Sequence, residues 1–365
     1  MAAAASAYTV VRPDVTVHWG TRPLAMFNDQ PVWEADDGYD LIFLDHPMTG
    51  AIAQRRALVP IDTVLPASVL QRIADESMGA GHASYRWAGH QWALGVDTTS
   101  QVAAHHQTRL GALGAQVPRT WDDVLALASS APGSVALPLY PSDAMCSLIS
   151  LSANAALAAG SPPDWLHRDG VEMLVELVRL VDASCFDLNP PRLLEQMRQD
   201  GRIAYVPYVF GYADLARPPL AFTDVPGLDG VPRGAVLGGA GLGVFPSSSA
   251  VDDAAAFAAW CMSTDVQRDV LVPAGGQPGN RLAWEAPGQD SATRHYLMAT
   301  RASVEHAYVR PRDPWWPEFQ REAGQQLVRM LRGGPEHSAA AIEAELRELA
   351  ERHRSQTPSS AQVRS

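Results

Sequence analysis

The sequence predicts an α/β fold, and three observations carry that prediction. Leu41 to Leu44 is a continuous apolar run bracketed by Asp40 and Asp45, the pattern of a strand buried on both faces of a parallel sheet. Apolar stripes with the helical period recur at Val171, Leu174, Val175, Val178 and Val181, and again at Phe257, Trp260 and Cys261. Strand patterns at Arg202 to Val206 and Leu242 to Phe245 lie between such helices, and this alternation argues for parallel sheets. With 365 residues there is chain enough for about two domains and a large buried core.

Each element has its own local reason. The Ala-rich segment Ala2 to Val11 predicts a helix, and Pro13-Asp14 a turn that starts a strand in which Val15, Val17 and Trp19 alternate with polar residues. The strand Leu41 to Leu44 delivers Asp45 and His46 at its C-terminal end, which is where open α/β sheets bind ligands. That pair reads as hydrogen-bonding ligand contacts, as a general acid and base, or as a capped turn. Tyr140, Ser142 and Asp143 precede a helical run from Ala144 to Ala159, so they offer either a simple N-cap or a helix N-terminus with a carboxylate. Ser249, three residues before Asp252, resembles an N-cap. Ile342, Leu346 and Leu349 mark a last amphipathic helix, and residues 353–365 are expected to be a flexible tail.

Composition excludes several functions. Charged residues balance to −12, which repels phosphate backbones and anionic lipid, so no nucleic-acid partner is expected. All 28 basic charges are arginine. Without lysine there is no Schiff-base nucleophile, pyridoxal anchor, Ser-Lys dyad or GxxxxGK[ST] phosphate loop. Cys146, Cys185 and Cys261 lie far apart without CxxC spacing and read as buried thiols. The histidines, His105-His106 included, lack metal-ligand spacing, so neither a metal nor a cofactor is expected. Gly238 to Gly243 precedes a strand instead of opening a helix, which argues against a dinucleotide loop. No GxSxG elbow occurs, and no run of eighteen apolar residues that would span a membrane.

Three blocks, in order, carry a family resemblance. Tyr39-Asp40-Leu41-Ile42-Phe43-Leu44-Asp45 with Ala57-Leu58-Val59-Pro60-Ile61-Asp62 is the first. Gly89-His90-Gln91-Trp92-Ala93-Leu94 with Val117-Pro118-Arg119-Thr120-Trp121-Asp122-Asp123-Val124 is the second. Leu237 to Val244, Ala255-Ala256-Phe257, Ser263 to Gln267 and Gly276-Gln277-Pro278 form the third. Single motifs are weak, but their joint order over about Ala7 to Glu351 resembles the family 1, maltose-binding-protein-like extracellular solute-binding proteins of ABC importers.

The resemblance implies a periplasmic-binding-protein-like (type II) fold, in which two lobes joined by hinge strands close on a ligand in a central cleft. Lobe one would comprise residues 1–97 and 238–305, and lobe two residues 98–237 and 306–352. It also implies a monomeric receptor for a small polar solute, a sugar or oligosaccharide, delivering it to an ABC permease. The alternative is an enzyme or cytosolic ligand-binding protein on the same fold. Ten Trp against eight Phe suits a carbohydrate cleft, although Trp121 and Trp260 read as packing residues. Expected ligand contacts are Asp45, His46 and Asp143, with Tyr208 and Tyr212 from the aromatic cluster that follows Tyr205, and Trp315 from the rigid Pro314-Trp315-Trp316-Pro317 loop. One departure is that the family begins with a strand before its first helix, whereas here the helix starts at Met1. A start codon placed too far downstream is the expected cause, and the missing segment would carry any signal peptide and the first ligand loop. The location is then extracellular or at the cell surface, and cytoplasmic if Met1 is the true start.

Overall fold

The computed structural model of the chain describes residues 1–22, 27, 30–35, 37–199, 201–285, 291–333 and 338–357. The first helix, α1 (Ala2–Val11), forms where the alanine run predicts it and buries Ala4, Ala5 and Tyr8. Val15, Val17 and Trp19 follow, packed on the core, but they pair with no strand, so the expected strand is absent there. The strands are β1 (Leu41–Leu44), the small hairpin β2 (Arg86–Trp87) and β3 (His90–Gln91), then β4 (Leu94–His106), β5 (Tyr205–Phe210), β6 (Leu220–Thr223) and β7 (Leu237–Val244). The main sheet runs β1, β7, β4, β5, with β6 also paired to β4.

Every ladder between these strands is antiparallel, which corrects the expected parallel sheet. The reason is topological. β1 and β4 point the same way, but β7 returns between them and runs against both, so strands of like direction never touch. β4 is long enough to serve two packing bodies. Its first half, Leu94 to Ser100, pairs with β7, and its second half, Gln101 to His106, pairs with β5 and β6.

The buried side chains divide accordingly. Leu94 and Val96 of β4 and Leu242 and Val244 of β7 pack with Tyr8 and with Phe257 of α2 (Val251–Cys261). A smaller cluster around Leu44, Ile52, Tyr85, Trp92 and Phe245 adjoins them. Val102 to Ala104, at the other end of β4, belong to a larger core that includes Trp121, Tyr205, Tyr208, Val236 and Trp316. Trp284, Tyr296, Leu297 and Val304 also pack there, although their stretch was expected to close lobe one. Residues 306–312 run from Val304 to Trp315 of that larger core and are tied to the start of β7 by Tyr308 N–H to Ala235 O at 2.7 Å and Leu237 N–H to Tyr308 O at 2.9 Å.

Local chemistry explains the element ends. Thr120 and Asp123 form a reciprocal capping box ahead of Trp121, with Asp123 N–H to Thr120 Oγ1 at 3.1 Å and Thr120 N–H to Asp123 Oδ2 at 2.9 Å. Such a cap is worth about 1 kcal/mol. The helix α3 (Pro141–Ala158) is buried along most of its length, and Ser150 and Asn154, which interrupt its apolar run, are satisfied inside the core. Ser150 Oγ accepts Val236 N–H at 2.8 Å, and Asn154 Oδ1 accepts Leu228 N–H at 2.8 Å. Ser249 does not cap α2; Ala250 is its N-cap, and Ser248 Oγ accepts the Ala250 N–H at 3.0 Å.

The helix α4 (Trp316–Arg332) packs on α3, and the last helix α5 (Ala339–Gln356) packs on α4. α5 continues past the expected end at residue 352, because His353 Nε2 meets Glu322 Oε2 at 2.8 Å and the Arg354 guanidinium lies 4.8 Å from the Trp315 ring. The rest of the expected tail, residues 358–365, lies outside the described residues. Among the described residues no helix is long and apolar enough to cross a membrane.

Candidate functional site

A cleft of about 770 Å³ opens where the packing bodies meet. Its floor is backbone, because Gly238, Gly239 and Ala240 of β7 line it without large side chains. Phe43 and Asp45 reach it from the end of β1, Phe210 to Asp214 from the end of β5, and Tyr140 to Asp143 from the first turn of α3. Gln320, Arg321 and Gln325 of α4 form a further wall, beside Asp187 to Arg192. Aromatic rings and hydrogen-bonding side chains therefore face one another across the space, with Tyr140 50% exposed at its edge.

Asp45 anchors the interior. Arg310 Nη2 donates to Asp45 Oδ2 at 2.7 Å and to Oδ1 at 2.9 Å, and His46 N–H donates to Oδ1 at 2.9 Å. Burial pushes this carboxyl up, but the Arg310 charge and the His46 bonds outweigh it and hold Asp45 well below the usual carboxylate range. Arg310 comes from the 306–312 segment, so the ion pair joins the end of β1 to that segment. His46 sits behind it, 1% exposed, with its ring edge-on to Tyr85 at 6.4 Å. Burial and the Arg310 charge pull its imidazole down to about 4, so it is neutral at physiological pH.

Asp97 of β4 lies deeper, where Gln277 N–H donates to its Oδ2 at 3.2 Å. Burial pushes this carboxyl up to about 6 against that bond. Burial likewise raises the Tyr212 phenol, with Asp143, Asp214 and Asp97 adding to the shift, which puts the three carboxylates within electrostatic range of one hydroxyl. Cys146 also lines the cleft, and burial pushes its thiol up to about 12, so it stays protonated at physiological pH. No group of three or more His, Cys, Asp or Glu able to hold a metal occurs among the described residues.

Of the six expected contacts, Asp45, Asp143 and Tyr212 line the cleft. The other three do not, and each has a packing reason. His46 is turned inward by the short helical turn that Asp45 caps. Tyr208 is fully buried with its ring 5.2 Å from Trp121, because β5 is covered on both faces until Phe210. Trp315 is the N-cap of α4 instead of a loop tip, packed against Trp316 and Phe319 with Arg354 over its face. Tyr140, weighed with Asp143 as part of a helix N-terminus, and Phe210 of the aromatic cluster also line the cleft, whereas Phe43 and Gln277 stood in the quoted motifs with nothing marking them as lining residues. Asp97 had one signal, an acid inside an apolar strand run, and Arg310 had none.

Residues 34–287 match the family model described as bacterial extracellular solute-binding protein. Solved structures match over nearly the whole chain. Maltose-bound MalE3 of T. maritima superposes with a TM-score of 0.75 at 16% identity, covering 97% of this chain and 95% of that one. An ABC transporter solute-binding protein from Agrobacterium radiobacter K84, in complex with ribitol, gives 0.73 at 18% identity, covering 97% and 96%. The GacH receptor of Streptomyces glaucescens, solved unliganded and with acarbose, gives 0.73 at 18% identity, covering 96% and 94%. No curated protein sequence matches. The fold is thus the two-lobed, periplasmic-binding-protein-like one, with hinge strands and a central cleft.

Proposed function

Because this chain belongs to the bacterial extracellular solute-binding proteins, we propose that it is a sugar- or polyol-binding receptor that works outside the cytoplasm and hands its ligand to an ABC permease as a monomer. The observation that carries this reading is the cleft itself, which Phe43, Tyr140, Phe210 and Tyr212 line beside Asp143, Asn189 and Gln320. Hydroxylated rings need both surfaces, apolar faces for their C–H groups and acceptors or donors for their hydroxyls. The bound solutes of the similar structures, maltose, ribitol, tagatose and mannitol, support the same class.

Within the cleft we assign ligand contact to Tyr212 and Asp143, with Asp45 holding the floor through Arg310. The lobes are proposed to pivot near residues 97 and 238, because β4 and β7 pass there from one packing body to the other. Calorimetry and thermal unfolding with maltose, ribitol, D-tagatose and D-mannitol test the reading. At a hundredfold excess over Kd, a true ligand stabilises the protein by about 2.7 kcal/mol. Tyr212→Ala and Asp143→Asn should each weaken binding about ten- to a hundredfold while circular dichroism stays unchanged. Full affinity in both variants would move the site elsewhere, and no response to any of these solutes would overturn the sugar or polyol class.

A further inference from the structure

We infer that Asp97 is a specificity-determining contact of this cleft, whose ionised carboxylate accepts a hydroxyl of the bound polyol. The inference rests on the sugar or polyol reading above. Asp97 lies on the cleft wall where three segments cross: it is in β4 at a register shift, opposite Ala240 of β7, and bridged to Pro278 of the following loop. Thr98 N–H donates to Gln277 O at 3.3 Å and so fixes the same loop from the neighbouring residue. β7 packs closely on this part of β4, because Gly239 has φ +106 and a Cβ there would be driven into the Asp97 carbonyl oxygen, so the residues facing Asp97 from β7 are the small Gly239 and Ala240.

Its hydrogen-bonding capacity is mostly unspent. A carboxylate offers about four acceptor sites, and the bond from Gln277 N–H takes one. Among the described residues no arginine or histidine forms an ion pair with Asp97, and the buried Arg310 is committed to Asp45. The titratable groups that face it are the phenols of Tyr85, Tyr212 and Tyr296, all raised by burial and so neutral, and the α-amino group of Met1, which lowers its pKa. Asp143 and Asp214 share the Tyr212 surroundings, and His46 is neutral above about 4. Burial holds the Asp97 carboxyl at about 6, so its charge state changes between pH 5 and pH 7.5 while the three phenols stay neutral.

A hydroxyl donated to a carboxylate makes a charge-assisted bond, stronger than one to the neutral acid. Binding therefore favours the ionised form and lowers its pKa in the complex. Below pH 6 the incoming solute must displace a proton, and affinity should fall about tenfold from pH 7.5 to pH 5. Near pH 6 binding should release a fraction of a proton.

The test is calorimetric titration of the full chain with maltose, ribitol, D-tagatose and D-mannitol at pH 5, 6 and 7.5, in two buffers of different ionisation enthalpy. The expected result is a tenfold loss toward pH 5 for whichever solute binds, with proton release at pH 6. Asp97→Asn should bind more weakly at pH 7.5 with a flat profile, and Asp97→Glu, which keeps a titratable group, should restore the slope. The two-buffer proton count on the wild type stands even if Asp97→Asn fails to fold. A wild-type profile that is flat without proton release, or a slope retained in folded Asp97→Asn, overturns the inference and leaves the receptor reading intact. Failure of all four solutes at every pH overturns the reading, and the inference with it.

Discussion

Buried beneath the cleft with a neutral ring, His46 makes protein stability depend on pH in a predictable direction. Its folded pKa of about 4 lies below the ordinary 6.5, so the unfolded chain binds the extra proton between those values. The stability it contributes is present above about 6.5 and is lost as the pH falls toward 4, by about 3 kcal/mol. Denaturant unfolding of wild type and His46→Gln between pH 4.5 and 7.5 should show this part of the slope missing from the variant. Equal slopes would mean that His46 titrates normally. His82, also held at about 4 by burial, keeps its own share in both proteins. At this scale the sequence was legible where chain position alone sets exposure. Asp45 at a strand end, Asp143 in a first helical turn and Tyr212 beyond a strand all reach the cleft. It was not legible where a partner distant in sequence covers the side chain, as Trp121 covers Tyr208 and Arg354 covers Trp315.

Among the elements, the β4–β7 ladder has the tightest tolerance, because β7 must lie flat against β4 at Asp97. A methyl at Gly239 would be forced into the Asp97 carbonyl at a backbone angle that side chains rarely adopt. Gly239→Ala should therefore lower the unfolding free energy by about 1–3 kcal/mol or more and weaken ligand binding. Gly111→Ala, a helical position with open space around it, should be neutral or stabilising by up to about 1 kcal/mol. Equal stability in the two variants would show that the ladder yields more easily than its geometry implies. The quoted motifs proved informative about elements in the same structural sense. Gln267 donates to Val96 O at 3.0 Å and to Cys261 O at 2.8 Å while accepting Gly279 N–H at 2.8 Å, which locks helix, strand and loop together. Asp62 accepts the Gln91 N–H at 2.9 Å and so fixes the β2–β3 hairpin. Strand direction was misread because an apolar run records burial on both faces and not the sense of its neighbour.

For the whole molecule, β4, β7 and the stretch from Leu271 to Trp284 carry the chain between bodies whose buried cores, among the described residues, are separate, and the cleft lies along them. Three parallel tethers permit rotation about an axis through them and resist separation, which is the geometry of hinge closure. The two-lobed architecture was legible in the order of the sequence blocks, since family spacing survives where single residues do not. Which body Trp284, Tyr296, Leu297 and Val304 join was not, because short helices pack wherever an apolar face is offered. Closure over a small hydroxylated solute is the motion proposed for the whole molecule. Small-angle scattering of the protein, alone and saturated with a sugar or polyol that calorimetry shows to bind, measures it. A smaller radius of gyration and shorter maximum dimension in the saturated sample are the predicted result, and superimposable curves despite saturation would contradict it.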